Sequence, residues 1–414
     1  MGALDRKIQT NRTGSVKLKL TQGGRPVAGC AVRIGQKNHK FQFGSNWQDD
    51  IIRFARKELN GPAGEQPDVI TKLYLDLFNQ VTLPFYWANF EPEQGKPGTE
   101  MMKKLASWYS SHDIALKGHP LCWHTLAPNW LLNMTNDEIL RTQIDRIKRD
   151  VSDFAGIVDT WDVVNEAVIM PIFDKYDNGL TRLCKEKGRI ELLKIMFETA
   201  RETNPRARFL INDFDTSPAY DILVEGCLEA GIEIDVIGIQ SHMHQGYWGV
   251  EKTERIIERF ERFGLPIHFT ENTIISGDLM PPEIKDLNDF QVTDWPSTPE
   301  GEERQAEEVV THIKTLLSHP LVESITWWDI KDGAWLNAPS GLIRRDNTPK
   351  PSYHALKDLF KGEWWLKPSE FVSDSKGEIE VKGFLGEYEL EFEGRLQRFQ
   401  IPSTEESEIQ IDLL

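Results

Sequence analysis

Between positions 41 and 329 the chain alternates between two hydrophobic patterns. Short apolar runs rich in Val, Ile, Leu and Phe fit buried parallel strands. They are Phe41–Ser45, Gln80–Pro84, Ile114–Trp123, Ile157–Glu166, Arg208–Asp213, Val236–Met243, Pro266–Glu271 and Ser324–Asp329. Most are followed by a stretch with apolar residues at helical spacing: Asp68–Phe78, Met101–Tyr109, Ile190–Thr203, Ala219–Ala230, Lys252–Phe263, Gly301–Leu317 and Ser352–Phe360. Thr135-Asn136-Asp137-Glu138 is a capping-box sequence ahead of an amphipathic run to Phe154,. Eight alternations of strand and helix predict an α/β fold closed as a (β/α)8 TIM barrel. A doubly wound sheet is the competing reading, but no GxGxxG loop follows the first strand,.

The two ends have a different period. Ser15–Ile34 carries Val16, Leu18, Leu20, Val27, Ala31, Val32 and Ile34 around the turn Gln22-Gly23-Gly24, which reads as a hairpin,. After Lys361 the helical pattern stops. Glu378–Val381, Glu387–Phe392, Arg398–Ile401 and Glu408–Ile411 read as short strands separated by Gly or Pro,. The expected organisation is a barrel over 41–360 and a small accessory β module built from 1–40 and 361–414.

Composition narrows the partners. With 65 acidic against 48 basic residues the formal charge is −17, which disfavours nucleic acid and anionic membrane surfaces,. No apolar stretch reaches the roughly 18–20 residues that span a bilayer. The first fourteen residues are polar, so the expected location is cytoplasmic, or secreted after loss of a signal peptide,. Cys30, Cys122, Cys184 and Cys227 are scattered without CxxC spacing, which predicts buried thiols rather than a metal site or a disulfide framework,. No motif calls for a cofactor, and the histidines lack HExxH spacing,.

The candidate chemistry lies at strand ends. Glu166 closes Trp161-Asp162-Val163-Val164-Asn165-Glu166, and Glu271 closes Pro266-Ile267-His268-Phe269-Thr270-Glu271. Carboxylates emerging from barrel strands are placed for catalysis, and a facing pair suits glycoside hydrolysis. Lys117-Gly118-His119-Pro120-Leu121-Cys122-Trp123-His124 ends the third strand candidate. Gly238-Ile239-Gln240-Ser241-His242 lies in the sixth, and Trp327-Trp328-Asp329-Ile330-Lys331-Asp332-Gly333-Ala334-Trp335 ends the eighth. Together these segments resemble glycoside hydrolase family 10, the endo-β-1,4-xylanase family, from about Phe41 to Leu359. The resemblance implies a retaining double displacement, with Glu271 as nucleophile and Glu166 as acid/base, their carboxyl groups about 5–5.5 Å apart. It also implies that Asn165 holds the 2-hydroxyl of the reacting sugar. His119 and Trp123 would line its subsite, Gln240 would sit beside the nucleophile, and His242 would hydrogen-bond it. Trp327 and Trp335 would wall the cleft, and Asn212-Asp213 matches a family pair near the acid/base. The structural alternatives are satisfied buried histidines and core tryptophans.

The departures from the family pattern cluster. After the second strand the family carries a Glu-Asn pair and then Lys, which grip the next sugar. Here the segment is Leu83-Pro84-Phe85-Tyr86-Trp87-Ala88-Asn89. Trp87 is therefore expected to bind substrate by stacking, with Phe85 and Tyr86 beside it. The family's Gln after the Trp-His pair is Leu126, and the Asp two residues past the nucleophile is Thr273. Three functions are compatible with these features. The first is a retaining, endo-β-1,4-xylanase-like hydrolase of xylan or xylo-oligosaccharides. The second is a retaining β-glycosidase of short oligosaccharides or of aryl or alkyl glycosides. The third is a carbohydrate-binding protein that has lost catalysis.

Overall fold

The computed structural model describes residues 2–46, 49, 52 and 68–413. The chain opens with a helix, Ala3–Arg12, and three strands: β1 (Thr13–Gln22), β2 (Arg25–Pro26) and β3 (Ala31–His39). Eight strands then form the barrel. They are β4 (Gln42–Asn46), β5 (Gln80–Pro84), β6 (Ala115–His119), β7 (Thr160–Asn165), β8 (Arg208–Asp213), β9 (Val236–Met243), β10 (Ile267–Ile274) and β11 (Val322–Trp327). Each pairs in parallel with the next, and β11 closes on β4 with Trp327 opposite Ser45. The predicted (β/α)8 barrel with extra strands at both ends is the observed architecture.

Local signals account for several connecting helices. Asp68 caps Val69–Leu77 by accepting the Thr71 N–H at 2.8 Å,. Thr135 and Glu138 cap Asn136–Asp153 reciprocally,. The helix Gly179–Lys187 was not expected from periodicity; Asn178 caps it. All four cysteines are buried free thiols.

The terminal strands form two facing sheets. In one, β1 lies between β13 (Glu378–Phe384), antiparallel, and β16 (Ser407–Asp412), parallel. The other has the order β12 (Ser369–Val372), β3, β14 (Gly386–Phe392), β15 (Arg395–Ile401). Val16, Leu18, Ile34, Val381, Leu390 and Ile401 fill the space between them. The expected Ser15–Ile34 hairpin is corrected here. Only Arg25 and Pro26 pair back on β1, and the chain then crosses to the second sheet, where β3 pairs with β12 and β14. Pro26 lacks the N–H that would continue the ladder, and Gly29 turns away at φ +67°,.

The helix Ala3–Arg12, grouped with the accessory strands by sequence, packs on the barrel instead. Ile8 joins the barrel core, Asp5 pairs with Lys314 at 2.9 Å, and Asn11 donates to the Ser318 carbonyl at 2.8 Å. Arg12 donates to the Leu317 and Val322 carbonyls, closing the C-terminal end of the helix Pro299–Ser318,.

Candidate active site

Glu166 is the first residue beyond β7, in the left-handed region at φ +57°. Its N–H donates to the Asn212 carbonyl at 2.8 Å, which turns the side chain into the barrel mouth. Such backbone strain is often held at functional sites by the surrounding structure. Glu271 lies inside β10, three residues before its end, where the register against β9 slips between Phe269 and Glu271. A slip of this kind re-aims a side chain.

Two amides in series, Asn212 and Asn165, link the two carboxylates. Asn212 Nδ2 donates to Glu271 Oε1 at 3.0 Å and to Asn165 Oδ1 at 2.8 Å. Asn165 Nδ2 donates to Glu166 Oε1 at 3.3 Å. Gln240 Nε2 donates to Asn165 Oδ1 at 3.2 Å and to Glu166 Oε1 at 3.4 Å. Thr270 Oγ1 donates to Asn212 Oδ1 at 2.6 Å and fixes that amide. Gly238 leaves room for it, since a Cβ there would lie 2.5 Å from Asn212 Oδ1. The other oxygens are also held: Trp123 Nε1 donates to Glu166 Oε2 at 2.9 Å, and His242 Nε2 approaches Glu271 Oε2 at 3.1 Å.

Burial dominates the electrostatics. It pushes the Glu166 carboxyl up to about 8, opposed by the Trp123 hydrogen bond and reinforced by the charges of Glu271 and Asp213,. Burial also pushes Glu271 up to about 7, held back by His119 and Lys117. These two bases share Asp162: His119 Nδ1 lies 2.7 Å and Lys117 Nζ 2.8 Å from Asp162 Oδ2. Burial raises the Asp162 carboxyl, but Lys117 and His119 outweigh it and hold it below its usual value. Burial takes His242 down to about 3, so its imidazole is neutral. Such a pair can supply one protonated and one ionised carboxyl to the same bound molecule.

The sequence model of Glycosyl hydrolase family 10 matches residues 53–359. The chain belongs to glycosyl hydrolase family 10. Endo-1,4-beta-xylanase A of Halalkalibacterium halodurans is 30% identical over 282 residues, 60% of this chain and 69% of the relative. Endo-1,4-beta-xylanase B of Thermotoga neapolitana is 28% identical over 295 residues, 66% of this chain and 78% of the relative. A solved family 10 structure from Paenibacillus barcinonensis superposes with a TM-score of 0.64 at 23% identity, covering 78% of this chain and 95% of that one, a likeness of fold.

In this family 10 glycoside hydrolase, Glu166, Glu271, Asn165, His119, Trp123, Gln240, His242 and Trp335 come together at the barrel mouth. The half-buried Trp335 ring packs 4.6 Å from His242. Gln240, placed beside the nucleophile position by sequence, lies opposite Glu271 in the strand register but aims its amide at Glu166. Two of the expected cleft residues are corrected. Trp87 is 3% exposed and packs edge-on against Trp130; its indole N–H donates to Glu91 at 3.0 Å, and Arg146 covers its face. It is core, because the helical turn Trp87–Phe90 begins there and strand alternation no longer applies. Trp327 is fully buried, with its N–H on the Ser340 carbonyl.

Their neighbours face the site. Tyr86 packs with its ring centroid 5.5 Å from both His119 and Trp123. The Trp328 ring meets His119 at 5.6 Å and His242 at 6.3 Å. Sequence reasoning also missed Asn46 and Asp329. Asn46 Nδ2 donates to Asp329 Oδ1 at 2.7 Å, and the Asp329 N–H donates to Asn46 Oδ1 at 2.9 Å. Thr273, which replaces the family's Asp, accepts the Met243 N–H at 2.9 Å and lies 3.2 Å from His244 Nδ1. His242 Nδ1 is left buried with no hydrogen-bond partner among the described residues.

Proposed function

We propose that this family 10 glycoside hydrolase is a retaining β-glycosidase of the xylanase type, with Glu271 as nucleophile and Glu166 as acid/base. The observation that carries the reading is the Asn212 bridge, which ties Glu271 to Asn165 and through it to Glu166. Glu271, the more readily ionised of the two, attacks the anomeric carbon. Glu166 transfers its proton to the glycosidic oxygen as that bond breaks. Once Glu271 is esterified its charge is gone and Glu166 ionises more easily. Glu166 then takes a proton from water, which displaces the ester. Asn165, held from both sides by Asn212 and Gln240, is positioned to hydrogen-bond the sugar 2-hydroxyl. The relatives named as endo-1,4-beta-xylanases support β-1,4-linked xylose units as the substrate class. Residues 41–360 would carry this chemistry, while the terminal strands of 1–40 and 361–414 would serve as one accessory unit.

A second reading, hydrolysis of short oligosaccharides or aryl or alkyl glycosides, draws support from Tyr86 and Thr273. Polar groups of the family pattern are replaced at these positions. Loss of catalysis is disfavoured, because both carboxylates are present and hydrogen-bonded. Xylan viscosity and reducing-end release, measured beside 4-nitrophenyl β-xyloside hydrolysis, decide between the readings. A rapid viscosity fall at low reducing-end yield supports endo-xylanase action. Turnover of small glycosides with unchanged viscosity supports the second reading. Inactivity on all of them, with no covalent labelling of Glu271 by a 2-fluoro xyloside, would overturn both.

A further inference from the structure

We propose that Asp329, backed by Asn46 and faced by Tyr86, closes the glycone end of the cleft and accepts hydrogen bonds from the hydroxyls of a terminal, non-reducing sugar. The enzyme would then remove single sugar units from chain ends. This inference rests on the retaining mechanism proposed above and adds the substrate end that the site selects.

Strand order gives the direction. Glu166 follows β7, Glu271 lies in β10, and Asp329 lies two residues beyond β11, on the far side of Glu271 from Glu166. The leaving group departs over the acid/base, and the transferred sugar sits over the nucleophile. Groups beyond Glu271 therefore meet the sugar itself.

Asp329 is built to present a carboxylate. It is 6% exposed, and among the described residues the charge that acts on it is that of Glu271, not of a cation. Burial pushes its carboxyl above the usual range, and the charge of Glu271 adds to the shift. A buried carboxylate without a cation is costly unless its lone pairs are satisfied. Asn46 Nδ2 takes one position on Oδ1 at 2.7 Å, and the Trp335 N–H takes one on Oδ2 at 2.9 Å. Among the described residues each oxygen keeps a second acceptor position, which suits the two donors of a vicinal diol,. The backbone is held in the left-handed region at φ +65°, a conformation that aspartate tolerates better than bulky residues but that still costs energy,. On the same side of the mouth, beyond β5, Tyr86 is 8% exposed, and the charges of Glu271 and Asp329 add to the burial that raises its hydroxyl. Asp329 and Tyr86 thus follow Glu271 in barrel order, beyond β11 and β5, with charges that reach one another.

The test compares the wild type with Asp329→Gly and Asp329→Asn on 4-nitrophenyl β-xyloside, its 4-deoxy analogue and 4-nitrophenyl β-xylobioside. Glycine is at ease at this φ, so Asp329→Gly should fold, and its melting temperature checks that. The wild type is expected to prefer the monoxyloside and to discriminate against the 4-deoxy sugar. Asp329→Gly should lose roughly ten- to a hundredfold in kcat/KM on the monoxyloside, the worth of charged hydrogen bonds. The 4-deoxy discrimination should disappear, and the ratio should swing toward the bioside. Asp329→Asn should fall between the two. A wild type that prefers the bioside would overturn the proposal. So would a variant that loses activity equally on all three substrates, which marks a merely structural role. Inactivity of the wild type on every glycoside would instead remove the underlying mechanism, and the proposal with it.

Discussion

On the side of the barrel mouth formed by β7, β8, β9 and β10, polar side chains pass hydrogen bonds along a chain. It runs from Thr270 to Asn212, from Asn212 to Glu271 and Asn165, and from Asn165 and Gln240 to Glu166. On the side formed by β4, β5 and β11 the mouth is lined by Tyr86 and Trp328, with one carboxylate held by Asn46 and a backbone N–H. The first side is constrained by mutual geometry, since moving one amide disturbs both carboxylates. The second is constrained mainly by shape, so its residues can change without disturbing the chain of amides. On the function proposed above, reaction chemistry and substrate choice would be carried by separate strands of one barrel.

The largest expected effect comes from cutting the first side at its ends. Glu271→Ala should abolish turnover, with azide restoring some as the product of inverted configuration. Glu166→Ala should lower kcat/KM by about 10²–10⁴ on substrates with poor leaving groups and spare those with very good ones. Azide rescue of Glu166→Ala to an inverted product would exchange the two roles.

Cutting the same side at its centre should cost less but affect both steps. Asn212→Ala frees Glu271 and Asn165 together. Misplacement of this kind is expected to cost about 10²-fold in kcat. Gly238→Ala, which drives a methyl toward Asn212 Oδ1, should mimic it in part. Unchanged kcat in a folded Asn212→Ala enzyme would separate the two carboxylates and remove the contrast between the sides.

Two adjacent residues sharpen the second side. Trp87→Ala empties a core position and should cost about 3–5 kcal/mol of stability, leaving the KM of the folded fraction unchanged. Tyr86→Phe removes only a hydroxyl and should shift kcat/KM by about three- to tenfold with little change in melting temperature. Reversed outcomes would return Trp87 to the cleft.

The smallest effect is on stability against pH. Glu166 and Glu271 are raised from 4.5 to about 8 and about 7. Each therefore contributes stability that is fully present below about pH 4.5 and lost as pH rises through its folded value. Glu166→Gln should melt higher than the wild type at pH 8 and no higher at pH 4. Activity should be bell-shaped, rising as Glu271 ionises and falling as Glu166 loses its proton. A flat profile from pH 4 to 9 would count against the pair.

Apolar period and capping residues made the barrel legible. The runs at Gln80–Pro84, Arg208–Asp213 and Val236–Met243 coincide with observed strands, and Thr135 and Glu138 cap their helix. The site was legible where a motif carried it, as at Glu166, Gln240 and His242. It was misread by one position at Trp87 and Trp327, where a strand ends and alternation lapses just as side chains begin to face the cleft. Asp329 closes the eighth predicted run, but nothing in the pattern marked it for the site, because its setting lies in a backbone angle and in Asn46, 283 positions away. The helix Ala3–Arg12 was missed because Ile8 is its only buried residue, and tertiary partners such as Lys314 and the Leu317 carbonyl hold it.

The parallel pairing of β1 with β16 sets a schedule for synthesis. Val16 waits for Ser407, and Leu18 for Ile409. A ribosome adding about 5–20 residues per second releases the barrel strands seconds before β16 exists,. Until then the apolar face of β1 has no complete sheet and offers an unpaired edge to other chains. The nascent protein is therefore expected to be most vulnerable to aggregation when its barrel is nearly formed and β16 is not.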